Sequence, residues 1–147
     1  MKLLPHVMRN INEFNIPTEN SQGYEILYFG VNLILMFDYR LAFDVEVTNS
    51  DKEIEVLIMS RKDVPTWKEN YDSKRSEIHF YYSRSGPKIN DVFKPTKSDA
   101  YAFVLNNRRF SISHEVKTVE VTLTHNWQQE VKESQLKDRN TERQIKY

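Results

Sequence analysis

The central part of the chain is written in a two-residue period. In "LAFDVEVTN", Leu41, Phe43, Val45 and Val47 fall on one side and Asp44, Glu46 and Thr48 on the other, the pattern of a strand with one face buried. Asn49, Ser50 and Asp51 supply turn chemistry, after which Ile54, Val56 and Ile58 alternate with Glu53, Glu55 and Leu57. Two such runs across a short polar turn predict a hairpin. Upstream, "YEILYFGVNLILMFDY" is two apolar runs divided at Gly30, and its β-branched and aromatic content predicts two strands rather than a helix. Downstream, "EIHFYYS" sets Ile78, Phe80 and Tyr82 against His79 and Tyr81 and leads to the turn signal Ser85-Gly86-Pro87. "DVFKP" reads as a short strand stopped by Pro95. Tyr101, Phe103 and Leu105 share one face of the next strand, and Val119, Val121 and Leu123 share one face of the last.

About eight strands without a βαβ rhythm describe an all-β fold, a single antiparallel β-sandwich or jelly roll. The chain has 147 residues, enough for one domain with a real core and too few for two comfortable ones. The longest polar connection, "RKDVPTWKENYDSKRS", carries Pro65, Trp67 and Tyr71 and is expected to cover one end of the sandwich. From Gln128 onward the chain is highly charged, with Val131, Leu136, Ile145 and Tyr147 as its only apolar residues. Such a segment does not bury enough apolar surface to offset its ordering entropy. The expected division is therefore a sandwich domain over residues 1–127 and a disordered or helical polar tail over 128–147.

Charge narrows the partners. The 21 basic and 21 acidic side chains cancel, so no global field draws the chain to a phosphate backbone or an anionic membrane, and nucleic acid is not expected as a partner. With no cysteine there is no disulfide framework, thiolate nucleophile or cysteine-ligated metal, and cytoplasm is the expected compartment. "MKLLPHVM" begins like a signal peptide, but Pro5, His6, Arg9 and Asn10 interrupt it before an apolar core forms. Residues 31–37, the most apolar segment, are too short to span a bilayer, and no membrane insertion is expected.

Catalytic patterns are missing. His6, His79, His114 and His125 have no H-E-x-x-H spacing, no G-x-S-x-G elbow occurs, and Gly23, Gly30 and Gly86 stand isolated rather than in a phosphate-cradling loop. A non-enzymatic protein without cofactor or metal follows as the expectation. Asp38, Asp44, Asp99 and Asn106 offer oxygen ligands for calcium, though no spacing among them requires it. The candidate binding residues lie in two places. In "YAFVLNNRRFSISHEVKTVEVTL", Asn106 and Asn107 suit a turn, because Asn tolerates positive φ, while Arg108 and Arg109 offer a fork to a carboxylate or phosphate. In the long connection, Trp67 and Tyr71 are candidates for stacking on a sugar ring, with Tyr81 and Trp127 beside them; the alternative is that Trp67 pins its loop and Trp127 caps the last strand.

The same stretch resembles the carboxy-terminal half of the GOLD (Golgi dynamics) domain. That family's sandwich closes with a strand reading aromatic-x-Phe-x-x-(Asp/Asn)-Asn, then an aromatic-Ser step, then Lys-x-Val. The matching residues are Tyr101, Phe103, Asn106, Asn107, Phe110, Ser111 or Ser113, Lys117, Val119 and Val121. The earlier "FDVEVTNSDKEIEVLIM" is similar to the family's hairpin, so the likeness spans residues 41–123. The leader, membrane helix and paired cysteines of the family's cargo receptors have no counterpart here. The resemblance implies a β-sandwich that binds a protein partner or assembles with itself. A carbohydrate-binding jelly roll is the alternative reading and a small hydrolase the second alternative.

Overall fold

Alternation along the chain becomes two layers. A computed structural model describes residues 2–19, 22–70, 77–108 and 115–131. It contains β1 (Lys2–Ile16), β2 (Tyr24–Val31), β3 (Phe37–Val47), β4 (Ile54–Ser60), a 3-10 turn (Arg61–Asp63), α1 (Val64–Asn70), β5 (Phe80–Gly86), β6 (Lys88–Phe93), β7 (Asp99–Asn106) and β8 (Lys117–Val131). The strands form two antiparallel four-stranded sheets, ordered β1-β8-β3-β6 and β2-β7-β4-β5. Every connection but β4 to β5 passes from one sheet to the other, the jelly-roll form of a β-sandwich. Among the described residues no helix is long and apolar enough to cross a membrane.

The first sheet follows the sequence pattern closely. Leu41, Phe43, Val45 and Val47 of β3 and Val119, Val121 and Leu123 of β8 turn inward, where they meet Ile54, Val56 and Ile58 of β4 and Tyr101, Phe103 and Leu105 of β7. Residues 48–53 do not close a hairpin, however. β3 and β4 lie in opposite sheets, and Thr48 N–H donates to the carbonyl of Thr118 (2.8 Å) while the chain crosses. The reason shows in β4 itself, where all seven residues are buried. A strand apolar on both faces needs cover on both, and the centre of the second sheet supplies it.

That cover is the long polar connection. Instead of closing an end, it folds into α1, which lies on the outer face of the second sheet. Val64 and Trp67 join Leu57, Met59, Ile78, Ala102 and Val104 in a second apolar cluster. Trp67 is fully buried there, so it pins its segment to the sandwich.

Three boundaries differ from the sequence expectation. β1 pairs with β8 over its whole length, from Lys2 opposite Val131 to Ile16 opposite Lys117, where no strand was expected. The apolar run after Gly30 is a turn, because the Asn32 carbonyl accepts from Met36 N–H (2.7 Å) and its side chain from Ile34 N–H (3.0 Å). β8 continues to Val131, so residues 128–131, assigned to the tail by composition, belong to the sheet and Trp127 does not cap the strand. The remainder of the expected tail lies outside the described residues. A bulge in β5 sets Tyr82 opposite Ile58 and Phe80 opposite Met59, leaving Tyr81 as the extra residue, which is why Tyr81 and Tyr82 both pack on the main core.

Candidate functional site

Asn106, Asn107 and Arg108 are buried. Asn106 Nδ2 donates to Glu55 Oε1 (3.0 Å), and its Oδ1 accepts from Arg108 N–H (3.1 Å), a local turn of the kind Asn favours. Asn107 Nδ2 lies within reach of the carbonyls of Ile16 (2.9 Å), Pro17 (3.2 Å) and Glu115 (3.2 Å), tying the end of β1 to the chain entering β8. The Arg108 guanidinium stacks over Trp67 at 4.1 Å and Tyr24 at 4.7 Å and donates to the carbonyls of Lys68 (3.0 Å) and Trp67 (3.4 Å). Those carbonyls belong to the last turn of α1, where helix C=O groups need outside partners and favour a cation. Gly23 makes room, since a Cβ there would meet Arg108 Cγ and the Glu19 carbonyl at 2.6 Å. Together these residues form an internal latch joining β7, α1 and the β1–β2 connection. Tyr71 and Arg109, the remaining candidates of this group, lie outside the described residues, as do Phe110, Ser111 and Ser113 of the GOLD-like pattern.

An aromatic cluster fills the opposite half of the core. Tyr39 OH lies 2.5 Å from His125 Nδ1, and Phe29 stacks on Tyr101 with ring centroids 5.4 Å apart. Burial pushes the Tyr39 hydroxyl above its ordinary range, pushes Tyr101 up to about 12 and holds His125 below the usual imidazole value. Tyr101 OH donates to the Lys97 carbonyl (2.5 Å), so it serves the fold. Tyr81 packs edge-on to Tyr101, and Trp127 stacks on His6 at 5.4 Å. Among the described residues no three His, Asp or Glu side chains are grouped to hold a metal ion.

The surface feature that sequence reading missed is β1. It is the outermost strand of its sheet, with 15 residues against eight, seven and six for the other edges β2, β5 and β6. An edge strand keeps one row of backbone N–H and C=O groups unpaired, and proteins usually keep such strands short or charged. Here Leu3, Val7 and Ile11 project from the outer face, with Val7 64% and Ile11 69% exposed. Met8 is exposed on the inner side, beside a groove of about 350 Å³ between β1 and β2 lined by Asn10, Asn12, Leu27, Tyr28, Leu123 and His125. Pro5, Arg9 and Glu13 are the features of this edge that oppose indiscriminate pairing.

No family model and no curated protein matches the chain. Among solved structures it is similar to one from Bacillus endospore appendages, which form a novel family of disulfide-linked pili, with 8% identity, 88% of this chain and 93% of that chain covered, and a TM-score of 0.53. A CBM4 structure aligns with 11% identity over 81% of this chain and 71% of that one, at a TM-score of 0.41. At these identities the first likeness is one of fold, and the second is more distant.

Proposed function

We propose that this protein is a non-enzymatic binding module that joins protein chains by adding a strand at the β1 edge. The observation that carries the reading is the length of β1 together with Val7 and Ile11 exposed along it. Main-chain hydrogen bonds at an open edge supply affinity, and alternate side chains supply selectivity. The pilus-forming protein of similar fold lends support to an assembly role, but its disulfide linkage has no counterpart in this cysteine-free sequence, so assembly here rests on non-covalent contacts. A sugar-binding reading draws less support, because Trp67, its leading aromatic, is fully buried between α1 and the second sheet.

Sedimentation velocity of the full chain over a wide concentration range tests the proposal. The chain is expected to associate, and Val7→Lys or Ile11→Lys to shift it toward monomer; both side chains are exposed, so the fold should tolerate either change. A chain monomeric at every concentration, or an oligomer indifferent to both substitutions, overturns the reading.

A further inference from the structure

The β1 edge carries enough pattern to name its occupant. Pro5 has no N–H to give, and a proline fits an edge strand when its nitrogen faces away from the neighbouring strand, here β8. By strand alternation the N–H and C=O groups of Val7, Arg9, Ile11, Glu13 and Asn15 then face outward as well. These same odd-numbered residues pair with the polar outer side chains Asn126, Thr124, Thr122, Glu120 and Thr118 of β8. Arg9 and Glu13 are both exposed, four residues apart on one face, and among the described residues neither has an ion-pair or side-chain hydrogen-bond partner.

We infer that the occupant of the β1 edge is β1 of a second copy, paired antiparallel about a twofold axis at Ile11, so that Arg9 of each copy faces Glu13 of the other. This rests on the reading of β1 as an assembly edge and specifies its partner and register. With Ile11 opposite Ile11 of the partner subunit, two Arg–Glu pairs flank an apolar contact on the outer face. On the inner face Asn10 meets the partner's Asn12, and Met8 meets the partner's Phe14. Opposite charges and apolar pairs directly across a ladder are the favourable combinations. The ladder also ends where it must, because Pro5 falls opposite the partner's Pro17 and neither residue has an N–H. Shifting the strands by one step either way loses the match: one register sets Arg9 against the partner's Ile11 and Val7 against the partner's Glu13, the other sets Glu13 against Ile11. A shift of two steps puts Arg9 against Arg9 or Glu13 against Glu13. The β1-β8-β3-β6 sheets of the two copies become one eight-stranded sheet, an isologous arrangement that closes as a dimer. The β1–β2 groove then lies beside the partner's edge, which covers Met8.

The absence of cysteine makes the register directly readable. In an Ile11→Cys variant the two thiols face each other with Cα atoms about 5.5 Å apart, within disulfide reach. In a Val7→Cys variant the two positions are eight residues out of step, about 27 Å. Mild oxidation is expected to give a covalent dimer from Ile11→Cys and little from Val7→Cys. Arg9→Glu alone or Glu13→Arg alone is expected to weaken the dimer roughly tenfold, and the double variant Arg9→Glu/Glu13→Arg to restore it. If the chain associates through β1 but Ile11→Cys does not cross-link, or the double reversal fails to restore binding, the register is wrong while the edge reading stands. If the chain is monomeric at all concentrations, both fall.

Discussion

Arg108 shows how a residue's role depends on partners distant in sequence. Beside Arg109 and two asparagines it reads as a surface turn or an anion fork, yet its guanidinium is sealed between Tyr24 and Trp67 and bonded to the carbonyls at the end of α1. The turn chemistry of Asn106 was legible, because it depends on a backbone group two residues away. The burial of Arg108 was not, because its cover comes from residues 41 and 84 positions earlier. Arg108→Ala should lower unfolding stability by about 2–3 kcal/mol in denaturant titration, since it leaves helix carbonyls without a charged donor. Arg108→Lys should recover little, as an ammonium does not stack flat on Trp67. His125 sets a pH dependence. Burial disfavours the charged form of its ring in the folded state, where Nδ1 is hydrogen-bonded to the Tyr39 hydroxyl, while in the unfolded chain it titrates near 6.5. Below that value the unfolded state takes up a proton the folded state resists, so stability declines as pH falls through about 6.5 toward the lower folded value and is unaffected by this group above about 7.5. Denaturation midpoints at about pH 7.5 and 5.5 should differ more in the wild type than in His125→Gln.

At the scale of elements, the strands most legible in the sequence were those with one wet face. β3 and the first half of β8 alternate cleanly because their outer sides meet solvent. β4 was recognised as a strand but misplaced as a hairpin partner, since local turn signals do not tell a tight reversal from a crossing between sheets. β1 escaped notice because Leu3, Leu4, Val7, Met8 and Ile11 do not keep to one side, which suits an edge with one neighbour and an open flank. α1 was hidden in a polar connection in which one buried aromatic does most of the anchoring. Trp67→Ala should therefore cost about 3–5 kcal/mol. If calorimetry shows a change within experimental error, α1 is not held by that contact.

For the whole molecule, the balanced charge and the two-layer core were legible in the sequence, and the eight-strand count without a βαβ rhythm placed it among antiparallel sandwiches. What the sequence did not disclose is how unequal the four edges are. Three run eight residues or fewer, while β1 runs 15 and presents Val7 and Ile11 beside a single arginine and a single glutamate. That asymmetry is the physical basis for an assembly role, and its most direct test lies in the backbone of β1. Residue-resolved amide hydrogen exchange should find the N–H groups of Met8, Asn10 and Asn12, which face β8, protected at every concentration. The outward N–H groups of Val7, Arg9, Ile11 and Glu13 should become protected as concentration rises and lose that protection on dilution or in Ile11→Lys. Fast exchange at those four amides in concentrated protein would mean that the edge stays open and would contradict the account.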